Sequence, residues 1–245
     1  MAKIISIHSF RPGTGKSNLT ANLAAILAMA GRRVGVIDTD LHTPALPWLF
    51  GFDEQRIDRS LNDFLWGRCS IEATAYDVSA GIAPALPGKV FLIPFVTRPG
   101  TINYDVSLLS DSFQLLVGAL ELDVLLIDTQ PGLEETILPS LAFADVQVLV
   151  LRADEQDYQG TGVTIDVVRQ LGVPSMMLVV NQVPASYDAA DVRREVENAY
   201  LCKVIAVLPH SAELAALASA GLFVVHYPEH PLTRAFAEIA LTIAS

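Results

Sequence analysis

The sequence predicts an α/β fold, a three-layer sandwich in which a mostly parallel, doubly wound sheet is flanked by helices, built as one domain over residues 1–245. Two observations predict it. Short runs dense in Val, Ile and Leu recur along the chain, and most are apolar on both faces, as buried parallel strands are and half-exposed antiparallel strands are not. Each is followed by a longer segment with helical spacing, and that alternation implies crossover connections.

In order, strands are expected at KIISIH (3–8), RVGVID (33–38), VFLIPF (90–95), VLLID (124–128), VQVLVLR (146–152), SMMLVVN (175–181) and VIAVLP (204–209). Helices are expected near 16–30, 107–120, 157–171, 188–200, 211–220 and 231–244. From Gly51 to Gly88 the pattern weakens: SLNDFLWGRC reads as a helix and GIAPALPGK as a surface loop. Trp48 and Trp66 are expected to pack a covering helix. No internal repeat, low-complexity tract or separating linker is present. In sheets of this kind ligands bind beyond the carboxyl ends of the strands, so chemistry is sought in the loops after residues 8, 38, 128, 152, 181 and 209.

Composition narrows the function classes. A formal net charge of −11, from 16 basic and 27 acidic side chains, gives no global attraction for nucleic acid or anionic lipid. Arg193 and Arg194 read as an exposed helix face. Cys69 and Cys202 are far apart and neither belongs to a C-x-x-C pair, so reduced, partly buried thiols are expected. His8, His42, His210, His226 and His230 show no metal-ligand spacing. The start, MAKIISIHSF, is too short in apolar residues for a signal-peptide core, and no run approaches the roughly 20 residues of a membrane span, so a cytoplasmic protein is expected.

The chemistry is concentrated in SFRPGTGKSN, Ser9 to Asn18. A strand ending at His8, a glycine-containing loop and a helix starting near Lys16 make the context that a phosphate-binding loop requires. Backbone N–H groups at a helix start lack intrahelical partners, and the helix dipole adds positive character there, so a polyphosphate meets donors already aimed at it. Gly13 and Gly15 permit close approach of the backbone. Lys16 would reach the terminal phosphates, and the Ser17 hydroxyl is placed to ligate Mg²⁺. Against G-x-x-x-x-G-K-[ST], however, the first glycine is replaced by Phe10. A bare G-K-S triplet also occurs in ordinary strand-to-helix turns; its position after the first strand, ahead of the apolar helix TANLAAILAMAG, favours the phosphate site.

This loop resembles the deviant phosphate loop of the MinD/ParA family of P-loop ATPases, x-K-G-G-x-G-K-[ST], in which the first glycine is not required. GRRVGVIDTD (31–40) is similar to that family's second strand with two aspartates, VLLIDTQPGLEE (124–135) to its Walker B strand and switch, VVNQVP (179–184) to its base-contacting segment, and LPHSAELAALASAG (208–221) to its late proline-helix element. The resemblance implies nucleotide contacts from Arg11, Gly13, Thr14, Gly15, Lys16, Ser17, Asn18, Asn181 and Pro209. It implies Mg²⁺ at Ser17, Asp38 and Asp128, and catalytic roles for Lys16, for Asp40 on the attacking water, and for Arg11. The family's signature lysine crosses a dimer interface to the partner's phosphates; Arg11 stands in its place, keeping the charge in a different geometry. Pro12 replaces a glycine and removes one N–H from the loop.

Asn181 carries the donor and acceptor needed to read an adenine edge, and NQVP lacks the lysine and aspartate of guanine-specific N-K-x-D segments, so ATP with Mg²⁺ is the expected ligand. The resemblance further implies an ATP-dependent homodimer that hydrolyses slowly and acts through a regulatory protein partner. Three other readings stay open: a non-hydrolysing nucleotide-binding scaffold, an ATP-dependent synthetase of the same superfamily, and an iron–sulfur or metal-inserting relative, the last disfavoured by the cysteines.

Overall fold

The computed structural model describes residues 2–96 and 108–245. Its first half contains β1 (Lys3–His8), α1 (Lys16–Met29), β2 (Arg33–Thr39), α2 (Leu46–Leu49), α3 (Leu61–Leu65), β3 (Tyr76–Asp77), α4 (Ser79–Ile82) and β4 (Lys89–Ile93). The second contains α5 (Leu108–Ala119), β5 (Val124–Thr129), α6 (Leu138–Ala142), β6 (Val146–Arg152), α7 (Glu155–Gln170), β7 (Ser175–Val183), α8 (Ala189–Tyr200), β8 (Lys203–Pro209), α9 (Ala212–Leu217), α10 (Phe223–His226) and α11 (Pro231–Ala244). All seven expected strands are present. The helix expected from 107 is α5, residue 107 itself lying outside the described residues.

The strands form one sheet in the order β3-β4-β2-β5-β1-β6-β7-β8, parallel except for β3, which runs antiparallel to β4. Alternation along each strand sends side chains to opposite faces. Ile5 and Ile7 of β1 join α1, α10 and α11 on one face, whereas Ile4 joins α3 and α5 on the other, and Leu149 and Leu178 meet α7 and α8 on that same second face. Three layers result, as the two-sided apolar strands require.

α1 is buried almost all round, through Leu19, Leu23, Leu27 and four alanines, because it lies between the sheet and α11. Each of those leucines contributes roughly 1.5–3 kcal/mol by its burial. The helix is therefore fixed along its length, and its N-terminus is held at the carboxyl end of β1. There the chain leaves β1 for β2 on one side, and later crosses from β5 to β6 on the other side, which opens the crevice where doubly wound folds bind ligands.

Two local features depart from the sequence reading. β3 is only two residues long, below any readable periodicity, and the adjoining segment is fixed by the Tyr76 hydroxyl, which accepts from Arg59 N–H at 2.9 Å and donates to Arg59 O at 2.8 Å. Trp48 does not pack a covering helix: it is 59% exposed at the end of α2, because Leu46 and Leu49 take the buried positions of that single turn. Trp66 is half-buried with the Arg68 guanidinium 4.2 Å above its ring. On α8, Arg193 donates to Val204 O and Arg194 pairs with Asp191 at 2.7 Å, so the basic pair is engaged within the chain.

The bottom of the sheet is joined by close backbone contact at Gly88, whose N–H donates to Ala28 O at 2.9 Å. A Cβ there would lie 2.1 Å from Arg32 O and 2.7 Å from Ala28 O, both backbone atoms that cannot swing away. Gly88→Ala is therefore expected to destabilise the protein by about 2 kcal/mol in urea unfolding, with the β4 and α1 ends moving apart. An unchanged unfolding midpoint would show that this junction is not tightly packed.

Candidate functional site

β1 ends at His8, and the loop from Ser9 to Gly15 turns the chain into α1. Gly13 and Gly15 both take left-handed backbone conformations, φ +78° and +89°, which side-chain-bearing residues rarely adopt. Gly15 is the N-cap of α1, no side chain caps the helix, and its first turn holds no acidic residue. The helix start is thus left open to an anion. A cavity of about 230 Å³ lies in front of it, lined by Gly13 to Asn18 together with Ser9, Pro12, Asp40, Thr43, Ala45 and Pro131.

The Lys16 ammonium is turned back toward the sheet, donating to Asp128 Oδ1 at 3.0 Å in a pair that is 6% and 0% exposed. Thr20, one turn along α1, donates to the same oxygen at 3.1 Å. Asp128 Oδ2 is buried with no hydrogen-bond partner. A buried carboxylate oxygen without a donor, beside the ammonium and near Ser17, fits a site for a divalent cation and its waters.

Asp38 lies opposite Asp128 in the β2–β5 register. Its carboxylate accepts from Asp40 N at 3.0 Å, Ala45 N at 3.1 Å and Leu46 N at 3.2 Å, which ties the loop after β2 to the start of α2. Burial, and then the neighbouring Asp128, push its pKa up to about 8 against those N–H donors and the Lys16 charge. Asp38 supports the loop from behind and does not line the phosphate cavity. Asp40 does line it; its carboxylate accepts from His42 N, Thr43 N and the Thr43 hydroxyl, at 2.9–3.1 Å.

Arg11 and Phe10 point away from their own chain's cavity, toward α7. Arg11 pairs with Asp154 at 3.1 Å and Asp157 at 3.4 Å, and Arg152 pairs with the same two carboxylates at 3.2 Å each. Phe10, which replaces the usual first glycine, is accommodated by a glycine elsewhere: a Cβ on Gly160 would fall 1.9 Å from the Phe10 ring. The missing small residue of the loop reappears on the helix that faces it. Neither Gly160 nor the two aspartates was singled out from sequence, since only the fold brings α7 beside the loop.

A second cavity, about 390 Å³, shares Gly15 and Asn18 with the first and continues past Asn181, Gln182, Pro209, His210 and Ser211. Asn181 is directed at the loop: its Nδ2 donates to Thr14 O at 2.7 Å, and its Oδ1 accepts from Gln182 N at 2.9 Å. One hydrogen and one lone pair of that amide remain for a base. Thus Gly13, Thr14, Gly15, Lys16, Ser17, Asn18, Asp40, Asn181 and Pro209 meet around two joined cavities, with Asp38 and Asp128 behind them and Arg11 outside.

A family model described as ParA, NUBPL iron-transfer P-loop NTPase, matches residues 1–72. The iron-sulfur cluster carrier protein of Methanococcus maripaludis is 32% identical over 74% of this chain and 61% of its own length. These matches, with the loop and strand motifs, support membership of the MinD/ParA family of P-loop ATPases. An uncharacterized ATP-binding protein of Methanocaldococcus jannaschii is 27% identical over 98% of this chain and 87% of the relative. Among solved structures, the septum site-determining protein MinD of Pyrococcus horikoshii, in complex with Mg-ADP, superposes with a TM-score of 0.85 at 24% identity, covering 99% of this chain and 96% of that one. The MinD/ParA fold expected from the loop and strand motifs is the fold observed.

His8 adds an acid-sensitive element beneath the loop. It is fully buried, with Nδ1 2.7 Å from Thr129 Oγ1, and because the Thr129 hydroxyl donates to Ile7 O, His8 Nδ1 carries the proton. Burial first, and then the Lys16 charge, lower its pKa from 6.5 to about 3. The unfolded chain takes up this proton near pH 6.5 and the folded one only near 3, so stability falls as pH drops through that window. Wild type is expected to lose about 2 kcal/mol more than His8→Asn between pH 7 and 5 in urea titrations; parallel pH dependences would contradict this. Separately, Gly160→Ala is expected to dislodge Phe10 and weaken Mg-ATP binding at least about tenfold by calorimetry, even though alanine favours the helix by about 1 kcal/mol. Wild-type affinity in that variant would show that the Phe10 seat does not shape the loop.

Proposed function

We propose that this protein is an ATP- and Mg²⁺-dependent dimerising switch that hydrolyses ATP slowly and acts in intracellular positioning or partitioning through a protein partner. The observation that carries the reading is the open, uncapped start of α1 facing a cavity that runs on into a base-sized pocket, with Lys16 and Asp128 buried behind it. Triphosphate oxygens would take the free amides of the loop and draw Lys16 from Asp128; Asn18 and the Asn181–Pro209 pocket would hold the base. Ser17 would ligate Mg²⁺, and Asp128 and Asp38 would hold its waters. The ion, when bound, would neutralise developing charge on the phosphates. Asp40, at the cavity wall, would orient the attacking water once Thr43 releases it.

Arg11 does not line its own chain's cavity, so a phosphate contact from it would be made to a second copy, as the family's signature lysine does. The γ-phosphate would then favour the closed dimer by the difference in affinity between the two states. No helix among the described residues is long and apolar enough to cross a membrane. The formal net charge of −11, with Arg193 and Arg194 engaged within the chain, supports a protein partner over DNA.

A second reading is favoured by the relatives named as iron-sulfur cluster carriers, which would make a cluster the cargo. Against it, Cys69 precedes β3 at one edge of the sheet and Cys202 precedes β8 at the other. Anaerobic incubation with ferrous iron and sulfide, followed by desalting, separates the two: visible cluster absorbance that survives desalting would support the carrier reading.

The switch predicts that light-scattering mass doubles with a non-hydrolysed ATP analogue and stays monomeric with ADP. It also predicts that Asp40→Ala retains the doubling while phosphate release falls at least about tenfold. Identical masses in both nucleotides would remove the switch, and equal phosphate release would remove Asp40 from the chemistry.

A further inference from the structure

β7 ends in a way that its role as a sheet strand does not require. Its register with β8 is broken between Val180 and Val183, and Gln182 there adopts φ +57°, a left-handed conformation that a long side chain takes at a cost of about 1 kcal/mol. Local strain of this kind persists where surrounding interactions hold it, and it concentrates at functional positions. The result of the irregularity is that two consecutive residues, which in a regular strand would point to opposite faces, both reach the phosphate loop. Asn181 Nδ2 donates to Thr14 O at 2.7 Å, and Gln182 Nε2 donates to Gly13 O at 2.9 Å.

Two adjacent loop carbonyls are therefore held on the β7 side. A peptide plane directs its C=O and N–H oppositely, so fixing the carbonyls of Gly13 and Thr14 fixes the N–H groups of Thr14 and Gly15. Packing agrees with the hydrogen bonds: a Cβ on Gly15 would lie 2.4 Å from Asn181 Nδ2 and 3.7 Å from Gln182 Nε2, so the loop backbone runs directly against these amides. Gln182 also lines the second cavity, which places it against both the loop and the base pocket.

We propose that Gln182 is a positioning residue for nucleotide binding. Its side-chain amide, aimed by the β7 irregularity, holds the Gly13 carbonyl and so preorganises the phosphate loop, and this couples the base pocket to the phosphate pocket. The proposal rests on the nucleotide-site reading above. Asn181 alone would leave the Gly13–Thr14 peptide free to rotate, because its bond is to the following carbonyl.

The test uses the full chain with Gln182→Glu, which keeps size but replaces the donor by an acceptor facing a carbonyl; Gln182→Gly, which keeps the left-handed backbone and removes the side chain; and Gln182→Lys, which restores a donor. Two readouts are taken: hydrogen exchange of loop amides in the nucleotide-free protein, and Mg-ATP affinity by calorimetry. The expected result is exchange at residues 13–16 at least about fivefold faster in the Glu and Gly variants, Mg-ATP affinity weaker by about three- to tenfold, and recovery of both in the Lys variant. Exchange over the β1 and β5 amides should match wild type in all of them. Loop exchange and affinity equal to wild type in Gln182→Glu would overturn the proposal while leaving the nucleotide site intact. Loss in the Glu variant without recovery in the Lys variant would also overturn it, since the donor would not be what matters. If wild type itself gives no Mg-ATP heat, the nucleotide-site reading fails, and the exchange comparison still decides whether Gln182 orders the loop.

Discussion

The arrangement depends on the buried ion pair between Lys16 and Asp128. An ammonium and a carboxylate withdrawn from water are tolerable only together, and removing one partner would leave the other at a penalty of roughly 3–5 kcal/mol. The pair joins the first turn of α1 to the end of β5, so the phosphate loop and the segment after β5 share one electrostatic bond. It is also unfinished: Asp128 Oδ2 has no donor, and the amides at the start of α1 have no cap. A ligand bringing anionic oxygens to the helix and a cation to the carboxylate would complete both. On the proposed reading, ligand binding would exchange the partner of Lys16.

The surrounding fold restrains what is exchanged. Asp38 holds the β2 loop through three backbone N–H groups, and His8 holds Thr129 at the end of β5. From the other side, α7 takes Phe10 and Arg11, and β7 takes the Gly13 and Thr14 carbonyls. The loop is thereby gripped at both its halves by elements that follow it by more than a hundred residues in sequence. A MinD/ParA-like transition would have to release the Arg11 contacts with Asp154 and Asp157 for that side chain to reach another chain, while the β7 contacts can remain. The loop's two halves would serve different purposes, the first assembly and the second phosphate binding.

Much of this could be read from sequence, for physical reasons that differ by element. Strands such as VQVLVLR and VLLID are apolar on both faces, and only a covered parallel sheet buries both, so their placement was recoverable to within a few residues. Lys16, Ser17 and the loop glycines were recoverable because a phosphate site is made by contiguous backbone. Trp48 was misplaced since a single helical turn has no periodicity to show which side is buried, and β3 was missed because two residues carry no pattern. Gly160, Asp154 and Asp157 belong to the site only through contacts that the topology creates between the loop after β1 and α7, and Gln182, although inside VVNQVP, meets Gly13 only through the pairing of β1, β6 and β7. Local sequence carries no sign of those contacts, although the substitution of Phe10 for glycine could have prompted a search for a compensating small residue.

On the proposed reading, the start of α1 grips a triphosphate. The most direct measurement is a ¹⁵N–¹H correlation spectrum of the labelled protein titrated with Mg-ATP and, separately, with magnesium tripolyphosphate. The amide resonances of Gly15, Lys16, Ser17 and Asn18 are expected to show the largest shifts with both ligands, those around Asn181 and Pro209 moving only with ATP. Saturable ATP binding that leaves the four loop amides in place would contradict that reading.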